Sequence, residues 1–158
     1  MDKLGHLYAS FWESYIILFL YTKIKHSRME AHLWLCFSGF LIQFPIEIFD
    51  GFSMHYGFSM WDLTANLLGS LLLYAQLSTW KEVRIMPKFW FMPTTFPSQR
   101  PDFFGNTIFH HILKDYNGQT YWYSFSPHIF NLKLPWPSWL LFSIGYGADG
   151  LLGGDDNI

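Results

Sequence analysis

The chain has 158 residues, enough for one domain and one core, and its formal net charge of −2 with no basic stripe excludes nucleic acid as a partner. Apolar residues make up 51% and charged residues only 14%, against roughly 25% charged in ordinary soluble domains, too little to cover a soluble surface comfortably. Aromatics reach 22%, and Trp and Tyr in such numbers suit a membrane–water interface, the alternative being a large aromatic core or partner surface.

In chain order, residues 2–26 read as a helix, with Leu4, Leu7, Phe11, Ile17 and Leu20 recurring at three and four and a basic stop, KIKHSR. The opening MDKLGHLYAS places acid and base where a signal peptide needs an apolar run, so no signal peptide is expected in it. A second apolar segment, 31–52, should kink at Pro45 and end at Gly51. Its Cys36 cannot form an internal disulfide, being the single cysteine, and reads as a small buried hydrophobe. The third segment, 59–84, has Ser59 as its N-cap and Asp62 in the capping-box position. Each apolar stretch is near the lower limit for crossing a bilayer and is interrupted by polar residues, so a bundle sunk partly into a membrane fits as well as full spans.

The second half changes character. Residues 87–105, PKFWFMPTTFPSQRPDFFG, are rich in proline and aromatics and should be irregular. Residues 106–118 read as one short helix closed by the turn signal Asn117-Gly118. QTYWYSFSPHIFNLKL alternates weakly, as an extended segment does, and a further short strand is expected before the glycine-rich end. The fold class is therefore mainly α: an antiparallel three-helix, membrane-associated bundle over about 2–84, followed by an aromatic, Pro-rich segment with one short helix and a few short strands. The chain 1–158 is taken as a single domain, with the bundle in 1–86 and the extension in 87–158.

The carboxylates are where the sequence is most informative. At about 100° per residue, Asp2, His6 and Glu13 share one helix face, as do Gln43, Glu47 and Asp50 on the second helix and Asp62, Asn66 and Gly69 on the third. Antiparallel neighbours would bring the start of the first helix, the end of the second and the start of the third to one end. Candidate site residues are thus Asp2, Lys3, His6, Glu47, Asp50, Asp62 and Asn66. His6, Glu47, Asp50 and Asp62 could ligate a divalent cation, and crowded carboxylates suit acid–base work. Lys3 could bind a phosphate or neutralise an acid. A structural hydrogen-bonded network tying three helices together is the other reading. Gly39 and Gly69 are expected to let the helices approach closely.

These residues carry a resemblance. DKLGHLYAS followed by PIEIFDGFSMHYGFSMWDLTANLLGS resembles the YfiM-like predicted periplasmic or outer-membrane lipoproteins, through Asp2, Lys3, His6, Glu47, Asp50, Asp62, Asn66 and Gly69. KDYNGQTYW and GYGADGLLGG are similar to the longer Bacteroidetes-type variants, whose relatives continue past the glycine-rich end, so the resemblance implies a chain cut short. A weaker similarity to VanZ-like membrane proteins lacks the arginine expected between those elements, where DGFSMHYG stands. The resemblance implies a bacterial envelope protein at the outer membrane, facing the periplasm, with the inner membrane as the alternative, and no established activity.

Three further signals are weak. GYGADG spells G-x-G-x-x-G, but too few residues follow for a dinucleotide fold, and a glycine turn is expected. His110 and His111 are adjacent and diverge on a helix, and Asp149, Asp155 and Asp156 read as a solvated tail. The first functional expectation is an accessory or scaffold subunit, partnered by membrane lipid and a larger envelope assembly, with no certain cofactor. The alternative is an enzyme or binder acting on a lipid or cell-wall headgroup through the carboxylate–histidine cluster, with or without a divalent metal.

Overall fold

The computed structural model describes residues 1–53, 57–130, 137 and 139–151, with the backbone alone at 128 and 130. Asp155, Asp156 and all of NLKLPW lie outside the described residues. The chain divides into two compact units, Asp2–Ile85 and 86–158 with Met1.

The first unit is helical. α1 spans Asp2–Lys25, with Asp2 in its first turn and Lys23 and Lys25 in its last, charges that complement the helix dipole. A 3-10 segment, Met29–Phe37, leads into α2, Ser38–Asp50. α2 continues through Pro45, and the non-helical backbone lies earlier, at His32, with φ −132° and ψ 42°. α3 spans Met60–Trp80; the Ser59 hydroxyl accepts from the Asp62 amide, so one orphan donor of the first turn is satisfied. It stops at Trp80, short of the expected 84, because Lys81 turns left-handed at φ 61°. Gln76 then directs the exit: its Oε1 accepts from the Arg84 and Ile85 amides, and its Nε2 donates to the Ile85 carbonyl.

α1 packs against α3, and both pack against α2. Ser14 meets Gly39 and His6 meets Glu47, so α2 runs antiparallel to α1; Lys3 meets Asp62 and Ser14 meets Ser70, so α3 runs alongside α1 in the same sense. The contacts are close because glycines stand in them. A Cβ at Gly39 would overlap the Ser10 carbonyl, and one at Gly69 the Leu7 carbonyl. α1 buries Tyr8, Phe11 and Leu18 beside Ser10, Ser14 and Thr22. Leu20, part of the apolar recurrence in the sequence, faces outward instead.

The second unit holds more regular structure than its composition suggests. Ile85–Phe91 forms β1 where irregular chain was expected, and it is followed by two four-residue helices, α4 (Phe96–Gln99) and α5 (Pro101–Phe104). Proline explains both helices: Pro97 and Pro101 sit in their first turns, where a missing N–H costs nothing. α6, Ile108–Lys114, is capped by the Thr107 hydroxyl, so the described residues hold three short α-helices here rather than one. β2 (Gln119–Phe125) is central in a three-stranded antiparallel sheet, β1-β2-β3, with β3 spanning Phe142–Gly147. Register runs from Thr120 opposite Gly147 to Phe125 opposite Phe142. The GYG of the glycine motif is strand rather than turn: Trp122 lies over Gly145, where any Cβ would strike the indole.

Candidate functional site

The helix starts and the α2 end meet at one cluster. Lys3, at the first turn of α1, pairs with Asp62 of α3, with Asp2 at 3.0 Å and with the Ser59 hydroxyl at 3.5 Å. His6, one turn on, stands 3.2 Å through Nδ1 from Glu47 Oε1 of α2. Its Nε2 faces Asp2 Oδ1 at 3.7 Å and Asp62 Oδ1 at 4.0 Å. Asn66, one turn beyond Asp62, donates from Nδ2 to Glu47 Oε1 at 3.4 Å. Glu47 is 1% exposed and Asn66 0%, so two of these polar groups are sealed from water, whereas the Lys3 and Asp2 side chains are about half exposed. Gln43 and Glu13 extend the seam inward with a 2.7 Å bond from Nε2 to Oε1.

Charge sets the protonation states at its edge. Burial works to lower the Lys3 ammonium's pKa, but hydrogen bonds and charge from Asp62 and Asp2 prevail and hold it above the ordinary lysine value. Burial works to raise the Asp62 carboxyl, yet the Lys3 and Ser59 hydrogen bonds and the His6 and Lys3 charges pull it below the usual carboxylate range.

Of the candidate residues, Asp2, Lys3, His6, Glu47, Asp62 and Asn66 are therefore neighbours in space. Asp50 lies close enough for its charge to be felt at Glu47, but no contact to the histidine is seen. The grouping of donor atoms differs from the one the sequence suggests. The atoms that could share an ion are those of Asp2, His6 and Asp62, all within 4.8 Å of one another. Glu47 faces the other ring nitrogen.

The sequence reading missed a second set of groups. Ser10 and Ser14 of α1 and Ser70 of α3 form a buried hydroxyl seam, with Ser10 and Ser70 2.9 Å apart and Ser14 and Ser70 3.3 Å apart. Ser14 accepts from the Gly39 amide at 2.8 Å and Ser70 from the Phe40 amide at 3.2 Å. The signal was present: serines four apart on one face of an oily helix, and a serine beside a glycine on another.

Residues 1–78 match the family of predicted periplasmic lipoproteins, DUF2279. No curated protein and no solved structure matches the chain. The matched stretch contains α1, α2 and nearly all of α3, and with them every residue of the cluster. The match supports an envelope-associated protein of the periplasmic side.

Proposed function

We propose that the protein is a membrane-seated accessory or scaffold subunit of the bacterial envelope, held at the periplasmic face of the outer membrane in the manner of the YfiM-like lipoproteins. The observation that carries this is an inverted helix. α2 buries Gly39, Gln43 and Glu47 and turns Leu41, Ile48 and Phe49 outward, followed by Phe52, at 71% exposure for Phe49 and 84% for Phe52. Residues 41, 45, 48 and 49 share one face, so this is an apolar stripe aimed away from the helical interior. α3 shows it in part, burying Asp62, Asn66, Ser70 and Gln76 beside Ala65, Leu73 and Leu77 while Trp61, Leu68 and Leu71 are exposed. In water this arrangement is unfavourable on both sides. Against lipid it is favourable on both, since each large apolar side chain leaving water contributes roughly 1.5–3 kcal/mol. The segment Met29–Asp50 is also long and apolar enough to cross a membrane.

The test is flotation of the full chain with vesicles of envelope lipid, comparing it with Leu41→Glu plus Phe49→Glu. The double variant should lose most of its vesicle-bound fraction while keeping its helical circular dichroism. Equal flotation of the two proteins overturns the reading.

A second reading, binding of a lipid or cell-wall headgroup at the cluster, is favoured by one observation. Lys3 and Asp2, half exposed, connect to Asp62 directly and to buried Glu47 through His6, so an incoming polar group would meet a charged surface already held in place.

A further inference from the structure

The geometry points to a divalent transition-metal site formed by Asp2, His6 and Asp62, with Glu47 orienting the histidine and Lys3 serving as the exchangeable cation when no metal is bound. It deepens the headgroup-binding reading of this cluster and rests on it for any role in recognition, though the ion site can be tested alone.

The donor set is the first argument. One imidazole nitrogen and two carboxylate oxygens lie within 4.8 Å of one another, contributed by two helices. A tetrahedral zinc ion with bonds of about 2.0–2.2 Å needs its ligand atoms roughly 3.3–3.5 Å apart. Nε2 is 3.7 Å from Asp2 Oδ1 and 4.0 Å from Asp62 Oδ1, so closure draws each carboxylate toward the imidazole by about 0.2–0.7 Å, and the two carboxylate oxygens, within 4.8 Å of each other, toward one another as well. Imidazole favours zinc and its neighbours over magnesium or calcium, which prefer all-oxygen sites.

The second argument is orientation. Glu47, buried, stands 3.2 Å from Nδ1 of His6, and when it accepts from Nδ1–H the lone pair of Nε2 is left to Asp2 and Asp62. Burial pushes the Glu47 carboxyl up, and the His6 and Asn66 contacts work against that. A carboxylate behind a histidine in this way fixes the tautomer of a metal ligand and strengthens its basicity. Glu47 is itself fixed by Asn66, fully buried, whose Oδ1 has no hydrogen-bond partner among the described residues. A metal-bound water beside the cluster would supply the missing donor.

The third argument is charge. Asp2 and Asp62 share the Lys3 ammonium, Glu47 stands against His6, and His6 is neutral when it acts as a ligand. The Lys3 side chain is half exposed and can leave toward water, so metal and ammonium compete for Asp2 and Asp62.

Titration calorimetry of the chelator-treated full chain in detergent, with zinc chloride as the probe, tests the site. Wild type should bind one zinc per chain and no magnesium. His6→Ala should weaken binding at least tenfold, and Glu47→Gln by ten- to a hundredfold. Lys3→Met should tighten it several-fold. Absence of stoichiometric zinc in wild type overturns the proposal, as does binding by folded His6→Ala equal to wild type. Should His6→Ala fail to fold, Lys3→Met decides: tighter binding upholds the site, and unchanged or weaker binding overturns it. Vesicle binding with and without zinc separates the two readings. Zinc uptake without headgroup preference overturns only the headgroup reading, and headgroup preference without zinc uptake overturns only the ion site.

Discussion

Ser10 and Ser70 bond across sixty positions of chain, and Glu47 is held by His6 and Asn66 from two other helices. In the second unit the fully buried Asp115 accepts from the backbone and side chain of Asn117 two residues on, and Gln119 serves the carbonyls of Ile112 and Leu113 and the Tyr121 hydroxyl. Both units bury polar groups, but one uses them to join distant helices and the other to shape a loop before a strand and fasten it to Thr94 and Leu151. The lesson is that interior polarity in the helical unit specifies tertiary arrangement, because oily exteriors alone would let the helices slide. A buried polar seam admits few registers, since a wrong one leaves donors without acceptors.

The largest effect should follow from blocking the seam itself. Gly69→Leu would drive a side chain into the Leu7 carbonyl, at roughly 4 kcal/mol or more, and remove cooperative unfolding of the helices. Thermal circular dichroism checks this, and a variant melting like wild type would show that α1 and α3 do not touch there. Asp115→Ala should cost about 2 kcal/mol by freeing the Asn117 amide and the Thr94 hydroxyl, which Asp115 holds at 2.6 Å. Protease sensitivity should rise in the loop at 115–118 and not in α1–α3; cleavage in the helices would erase the distinction between the units.

The smallest effect concerns the pair at the site's edge. The Asp62 carboxyl is lowered, so its contribution exists above the ordinary carboxylate pKa and fades as pH falls through the lower folded value. Lys3 is raised, so its contribution exists below the ordinary lysine pKa and fades as pH rises through the higher folded value. Lys3→Met should therefore destabilise metal-free protein near neutral pH, by under about 1 kcal/mol because the lysine is solvent-screened. Urea unfolding at neutral, acid and alkaline pH reads the gap, which should close at both extremes; a gap independent of pH would remove the ion pair from the account.

The juxtaposition of Asp2, His6, Glu47, Asp62 and Asn66 was legible in the sequence because helical period and antiparallel topology are simple geometry. The division of labour between the two ring nitrogens was not: which one meets Glu47 and which meets Asp2 depends on side-chain direction, not on spacing. Ser10, Ser14 and Ser70 escaped notice because an isolated serine in an oily helix looks like a neutral substitution until its partner is known. β1 was unreadable for a different reason. Pro87 argues against a strand by itself, and it is tolerated here in an edge strand of the sheet. The break at His32 had no proline or glycine to announce it.

α2 begins without a cap of its own, since Phe37 offers no side-chain acceptor, and its early amides are served by Ser14 and Ser70 from the other two helices. The consequence concerns timing. A helix start costs most before its free amides find acceptors, so the middle of the chain should settle last, after the stretches on either side have met. During synthesis residues 38–50 would wait, oily and unwound, until positions near 70 emerge, and over that interval the nascent chain is a natural client for a holding chaperone.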